Sequence, residues 1–230
     1  MLPRRLLLFF ALGLVLIGIL RWATRSCESM NDLAALPTPA YIALTFFVAL
    51  RLIRSPMGWA GIGFNHPFRS RPHLLLGAAG AVVAILAGEL LDPVWKFFFG
   101  AGRDLSRFAA AATSFPDLLG LLLFSWSFAA FGEEFTFRGI LMRGLSSAWG
   151  DSRRGLFFAY FFQAAIFGLT HMYQGAAGVA GSACSGLIFG GVVWVARGSL
   201  WPAFFAHGLS NTYGLVSLWL QADNAAAIAG

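Results

Sequence analysis

Long, nearly uncharged hydrophobic runs occupy most of this chain of 230 residues. Most of them approach the ~20 residues that an α-helix needs to cross the hydrocarbon of a bilayer. Seven such segments can be marked, over roughly residues 5–22, 36–53, 73–91, 117–146, 154–172, 175–196 and 199–220. A backbone inside lipid must satisfy its own hydrogen bonds, which an α-helix does. The pattern therefore predicts an all-α fold, a multi-pass bundle of membrane helices.

The composition supports a membrane environment and argues against nucleic acid as a partner. The chain is 58% hydrophobic and 11% charged, whereas soluble domains carry about 25% charged residues. The net charge is +6, but the basic residues stand singly or in pairs between the hydrophobic runs. That placement is typical of Lys and Arg that orient membrane helices. The arginine asymmetry between alternate loops predicts a cytoplasmic N-terminus, most simply in a bacterial inner (plasma) membrane.

Three details refine the predicted bundle. The first run ends at Arg21 and Trp22, which resemble an interfacial anchor, so we expect a retained first helix rather than a cleaved signal peptide. Residues 94–101 are too short to span and are expected to lie at the interface or to re-enter the membrane, which leaves seven spans or eight. In the sixth segment, Gly186 and Gly190 form a GxxxG pair that predicts close helix packing.

Ionisable side chains in the middle of membrane helices are costly, so each one is a candidate functional residue. Glu133, Glu134 and Arg138 all lie inside the fourth segment. Glu134 and Arg138 are four residues apart in the favourable order, which predicts an ion pair on one helix face. Because adjacent helical residues point about 100° apart, Glu133 faces elsewhere and remains available as a general base.

Two further segments carry polar groups that could act with Glu133. His171 closes the fifth segment, and Phe167, one turn earlier, can shield its imidazole from water. His207 and Asn211 are one turn apart on one face of the seventh segment. Both can donate hydrogen bonds, as a site that stabilises the oxyanion of a tetrahedral intermediate requires.

The expected depths of these groups agree only in part. At about 1.5 Å per residue, Glu133 lies about 22 Å from Ala148 and His171 about 27 Å from Arg153. His207, by contrast, lies only about 10 Å from the start of its segment. Bringing His207 to Glu133 therefore requires a tilted helix or a projecting turn near residues 148–153.

Three motifs in separate hydrophobic segments carry a family resemblance. EEFTFR (133–138) reads as EExxxR, FGLTH (167–171) as FxxxH, and HGLSN (207–211) as HxxxN. In this order and spacing they resemble the CPBP family, the CAAX-protease and bacteriocin-processing or Abi proteins. That family is related to the CAAX prenyl endopeptidases of the Ras-converting type. The resemblance covers about residues 117–215.

The resemblance implies a glutamic intramembrane endopeptidase, without a cofactor, that cuts membrane-associated or lipidated proteins or peptides. Matched residue by residue, it implies three pairs: Glu133 and His171 polarise the attacking water, His207 and Asn211 stabilise the oxyanion, and Glu134 and Arg138 orient the others. We expect one integral-membrane domain over residues 1–230, with 117–220 as its catalytic core.

Other functions remain open from the residues alone. Glutamate and histidine also bind zinc, so a zinc-dependent protease using the same residues is an alternative, although the HExxH motif is absent and Asn is a poor ligand. The two cysteines, Cys27 and Cys184, indicate neither a zinc site nor a disulfide. A proton-coupled transporter would use Glu89, Glu133 and Glu134 as a relay, but no internal repeat is visible. An inactive scaffold that keeps the family's fold is the third alternative.

Overall fold

The computed structural model describes residues 4–23, 37–54, 62–64, 70–111 and 114–229, and every regular element in these ranges is a helix. The predicted all-α class is confirmed. Cys27 lies outside the described residues. The helices are α1 (Arg4–Ala23), α2 (Pro37–Ile53), α3 (Ser70–Phe99), α4 (Ser106–Ala111), α5 (Phe115–Ala148), α6 (Arg153–Leu169), α7 (Gly175–Val195) and α8 (Trp201–Ala229).

Three of the described helices are long and apolar enough to cross a membrane, namely Arg71–Phe99, Phe115–Ala148 and Met172–Val195. Two shorter apolar helices, Leu7–Ala23 and Pro39–Arg51, accompany them. Large apolar side chains point outward, among them Leu75, Leu90 and Phe97. Such exposed apolar surface suits lipid as the surrounding solvent. The count of seven spans stays a prediction.

Residues 94–99 belong to the same helix as the third hydrophobic segment, and their position at the membrane interface stays a prediction. Helix α3 continues through Pro93 to Phe99, so these residues do not form a separate segment. A proline removes one backbone hydrogen bond from a helix but does not always end it. Asp92 and Lys96 form a salt bridge of 2.6 Å across this point, one turn apart, which supports the continued helix.

Helix α5 is composite, which the sequence pattern did not indicate. Ser114 caps its N-terminus by accepting from the backbone N–H of Asp117, and Pro116 lies in the first turn. After residue 124 the helix becomes π-helical over Ser125–Phe131 and again over Glu134–Met142. π-helical turns are frequent at functional sites. A π-turn contains more residues than an α-turn, so the stretch from Glu133 to Ala148 spans a shorter distance than an α-helix with the same number of residues. This shortening reduces the predicted depth mismatch.

Glycines allow the helices that carry the polar residues to approach closely. A Cβ atom on Gly77 of α3 would lie 2.6 Å from Phe205 of α8. On Gly186 of α7, a Cβ would lie 3.0 Å from the Cα of Ala164 on α6. The GxxxG prediction of close packing is thereby confirmed for Gly186. These contacts pack α3 against α8 and α6 against α7.

Candidate active site

Glu134 and Arg138 form the ion pair that their spacing predicts. Arg138 Nη1 donates to Glu134 Oε1 over 2.8 Å, and both side chains are fully buried. The same oxygen lies 2.9 Å from Nδ1 of His207 on α8. One buried carboxylate oxygen thus joins a cation of its own helix to an imidazole of another.

Aromatic rings and one carbonyl complete the surroundings of Arg138. The guanidinium carbon lies 4.7 Å from the ring centroid of Phe167 and 5.4 Å from that of Phe189. Arg138 Nη2 donates to the carbonyl oxygen of Gly186 over 3.2 Å, and Gln163 Nε2 donates to the same oxygen over 2.9 Å. A desolvated cation between π-faces is attracted by both rings. These contacts fix α5 against α6 and α7.

His207 lies between the two adjacent glutamates. Its Nε2 is 3.7 Å from Glu133 Oε2, while its Nδ1 is bonded to Glu134. The ring stacks on Phe189 with centroids 4.7 Å apart and 19° between planes. The side chain of Glu133 is 16% exposed and that of Glu134 is 0% exposed. Glu133 is therefore the more accessible of the two carboxylates.

The hydrogen bond made by His171 shows which of its ring nitrogens carries the hydrogen. His171 Nδ1 lies 2.8 Å from the carbonyl oxygen of Phe167, and the two rings are 4.7 Å apart. A carbonyl oxygen only accepts, so Nδ1 carries the hydrogen and Nε2 keeps its lone pair. The predicted contact of Phe167 with His171 is confirmed. The ring of His171 contacts those of Phe167 and Tyr173. Among the described residues, no hydrogen bond or ion pair joins His171 to Glu133.

A side chain of α5 holds Asn211 in position. Its Nδ2 donates to Ser125 Oγ over 3.1 Å, and Ser125 is buried. Trp126, the next residue, donates from Nε1 to Thr212 Oγ1 over 3.0 Å. A carboxamide nitrogen carries two hydrogens. One is used by Ser125, which leaves the second for another acceptor.

A cavity of about 480 Å³ joins these groups. Its walls come from α3, α7 and α8, and His171, His207 and Asn211 are among its lining residues. The volume falls within the range of roughly 300–1,000 Å³ that is usual for ligand pockets. Glu133 contacts this group through His207. Three of the predicted residues thus line one space, and the glutamates of α5 adjoin it through His207.

Three polar residues that support the site were not predicted from the sequence. They are Gln163, Ser125 and Tyr41, whose hydroxyl donates to Gly132 O at 3.2 Å and lies 2.9 Å from Thr136 Oγ1. Gln163 had a signal, because it is a polar residue inside an apolar run and lies two turns before His171 on the same face. Ser125 and Tyr41 had none, since hydroxyl residues are common in membrane helices.

The described residues contain no group of three or more His, Cys, Asp or Glu side chains arranged to hold a metal ion. His207 is engaged through Nδ1 by Glu134, and the free thiol of Cys184 lies on α7. A zinc site would need three such ligands about 2.0–2.2 Å from one point.

Residues 115–213 match a family model described as Rce1-like, type II CAAX prenyl endopeptidase. This segment is Rce1-like. The match confirms the family resemblance and includes all six predicted site residues. An Rce1-like segment suggests a CAAX-protease type of peptidase activity, and proteins of that family act on membrane-associated protein substrates. Together with the long apolar helices, the match indicates an integral membrane protein. No curated protein and no solved structure matches the chain significantly.

Proposed function

We propose that this protein is an intramembrane endopeptidase that hydrolyses a peptide bond of a membrane-associated or lipidated protein or peptide. One observation carries the proposal: three donors and acceptors, His171, His207 and Asn211, line a single cavity inside the Rce1-like segment. Both glutamates of α5 contact His207, which lines this cavity. An acyl-transfer site needs a base, a water position and oxyanion donors within one space.

In the proposed reaction, Glu133 and His171 activate the water. Glu133 is the more accessible of the two glutamates, and His171 presents an unprotonated Nε2 because Nδ1 donates to Phe167. A water held between them donates one hydrogen to each acceptor, and its oxygen attacks the scissile carbonyl. Glu133 takes the proton as the C–O bond forms.

His207 and Asn211 are proposed as the oxyanion donors. Since Nδ1 of His207 donates to Glu134, a second donation must come from Nε2, which requires the imidazolium form. The charges of Glu133, Glu134, Arg138 and His207 then balance to zero within the buried cluster. The second amide hydrogen of Asn211 completes the pair. Preorganised donors of this kind stabilise charge as it develops, without reorganisation.

Breakdown of the tetrahedral intermediate restores the site. The C–N bond breaks, the oxyanion collapses to a carboxylic acid, and the leaving amine takes the proton that Glu133 received. Glu134 and Arg138 remain bonded throughout and act as positioning residues. No metal or cofactor takes part in these steps. Residues 117–220 form the proposed catalytic core of a single domain, with the N-terminus on the cytoplasmic side of a bacterial inner membrane.

The short distance between Glu133 and His207 favours a second allocation of roles within the same activity. In that version, Glu133 and His207 hold the water, 3.7 Å apart, and His171 donates to the oxyanion. The two versions differ in which histidine must be uncharged. Alanine variants of His171 and His207, compared at several pH values, separate them, because loss of the uncharged histidine alters the acidic limb of the rate profile and loss of the imidazolium alters the basic limb.

Cleavage by purified protein is the direct test. The wild-type protein in lipid nanodiscs is incubated with a prenylated peptide that ends in a C-a-a-X sequence and with the same peptide without its prenyl group. Mass spectrometry identifies the cleaved bond. The proposal is supported if the wild type cleaves at least one of the two peptides and the Glu133→Gln variant cleaves neither. Absence of cleavage in folded wild-type protein, or equal cleavage in the variant, contradicts it.

A further inference from the structure

An arginine outside the Rce1-like segment reaches the cavity. Arg103 lies in the connection between α3 and α4 and lines the cavity that also holds His171, His207 and Asn211. The family match begins at residue 115 and assigns this residue no role. A cation at the wall of a proteolytic cavity is a candidate for recognising an anionic part of the substrate.

Two buried, neutral side chains hold Arg103 in place. Its Nε and Nη2 donate to Gln174 Oε1 over 3.2 and 2.9 Å, and Nη2 also lies 3.4 Å from Ser182 Oγ. Gln174 and Ser182 are 4% and 2% exposed. The backbone N–H of Asp104 donates to the carbonyl oxygen of Gln174 over 3.0 Å. The arginine is therefore positioned by wall residues and keeps its positive charge.

Three other charged residues, Glu89, Asp92 and Lys96, line the cavity, and Asp92 also attracts Arg103 electrostatically. Lys96 forms its salt bridge with Asp92, and Glu89 accepts a hydrogen bond from the hydroxyl of Tyr213 over 3.3 Å. Among the described residues, the hydrogen-bond acceptors of Arg103 are neutral. A guanidinium has five N–H donors, of which Gln174 and Ser182 use those on Nε and Nη2. Nη1 lies over Gly181, where a Cβ atom would be 3.8 Å away.

We propose that Arg103 binds the C-terminal carboxylate of the substrate and thereby sets where the peptide is cut. This inference rests on the proposed endopeptidase function. A carboxylate accepts charge-assisted hydrogen bonds from a guanidinium, and the planar fork suits its geometry.

A short turn links Gln174, the residue that holds Arg103, to His171. A C-a-a-X sequence has three residues after the prenylated cysteine, and three extended residues span about 10 Å. Gln174, which holds Arg103, is three residues from His171 in one tight turn, where its N–H donates to the carbonyl oxygen of His171 over 2.9 Å. At about 2 Å of rise per residue, Gln174 lies about 6 Å along this turn from His171. A carboxylate bound at Arg103 would therefore end close to the segment that carries His171, as a short C-terminal product does.

Two peptides and three variants test the inference. The peptides are prenylated, identical in sequence, and end in a free carboxylate or a carboxamide, so only the charge differs. For the wild type we expect kcat/KM to be roughly 10- to 100-fold higher for the carboxylate peptide, the effect of one or two charge-assisted hydrogen bonds. In Arg103→Gln the two values should become equal, through a loss on the carboxylate peptide alone. Arg103→Lys should keep part of the preference, and Lys96→Gln should keep all of it.

Each outcome has a defined meaning. The measured quantity is the ratio of the kcat/KM values of one variant for the two peptides. A smaller amount of folded protein lowers both values equally and leaves this ratio unchanged. Equal cleavage of both peptides by the wild type overturns the role of Arg103 and leaves the endopeptidase intact. An undiminished preference for the carboxylate peptide in Arg103→Gln also overturns the role of Arg103. An equal loss of kcat/KM on both peptides overturns it as well, because it shows that Arg103 has a structural role. Cleavage of neither peptide by folded wild-type protein contradicts the proposed function itself.

Discussion

The imidazole of His207 separates two adjacent carboxylates: Nδ1 lies 2.9 Å from Glu134 Oε1, and Nε2 lies 3.7 Å from Glu133 Oε2. Glu134 is also bonded to Arg138 and has no exposed surface, whereas Glu133 retains 16% exposure. Neighbouring residues of the same type therefore have different surroundings. Substitutions at the two positions should differ in the property that they change.

Glu133→Gln should abolish cleavage and leave the protein folded. The amide keeps the shape of the side chain but cannot accept the proton of the attacking water. Peptide cleavage and thermal unfolding in detergent measure the two properties. Glu89→Gln is the matched control, since Glu89 lines the same cavity on α3. Wild-type rates in Glu133→Gln would exclude the glutamate mechanism, and equal losses in both variants would favour a proton relay.

Arg138→Met should destabilise the protein by about 3 kcal/mol, because breaking a buried ion pair leaves the carboxylate of Glu134 with its desolvation cost. Thermal unfolding of the purified protein measures the change. Arg153→Met, at an exposed arginine that begins α6, should have little effect. Adding Glu134→Gln to Arg138→Met should recover part of the loss, since both charges are then absent. An unchanged unfolding temperature in Arg138→Met would show that the pair contributes no stability.

Asn211→Ala should lower kcat by roughly 10²–10³, the usual loss for one oxyanion donor. Ser125→Ala should cause a smaller decrease, because it removes the group that orients Asn211 and not the donor itself. The control is Ser210→Ala, whose hydroxyl bonds to the carbonyl oxygen of His207 within its own helix. Steady-state kinetics on one peptide compares all three. A normal kcat in Asn211→Ala would remove this residue from the oxyanion site.

Strong chelators should leave cleavage intact, because a hydrolysis driven by Glu133 and His171 uses no metal. The test measures activity after dialysis against a chelator and again after zinc is added. Metal analysis of the active protein provides the control. Activity that disappears on chelation and returns with zinc would establish the zinc-dependent alternative.

Tyr41→Phe should reduce kcat about two- to tenfold with little change in KM, at a stability cost of about 1 kcal/mol for the lost hydrogen bonds. The hydroxyl bonds to the Gly132 carbonyl oxygen, next to Glu133, and to Thr136. Tyr160→Phe is matched to it, because Tyr160 bonds to the carbonyl oxygen of Leu187 over 2.6 Å. That variant should lose similar stability and keep its kcat. Equal kcat losses in both would show that Tyr41 does not position Glu133.

The motifs identified the polar residues but not all of their contacts. The pairing of Glu134 with Arg138, and of Phe167 with His171, follows from spacing within one helix, and both are present. The supporting hydroxyls of Ser125 and Tyr41 come from other helices, and their spacing carries no signal. The continuation of α3 past Pro93 was also missed, since a proline usually marks a helix boundary and only the packed helix shows that it is tolerated.

By itself, the sequence determined the all-α class and the faces that the polar residues share, because hydrophobic runs and the helical repeat depend on neighbours along the chain. Only the tertiary structure decided that His207 meets Glu134, 73 residues away, and that Asn211 meets Ser125, 86 residues away. Periodicity gives the face of a residue but not its height relative to another helix. That height depends on helix packing and on the π-helical turns of α5, which shorten the distance from Glu133 to Ala148.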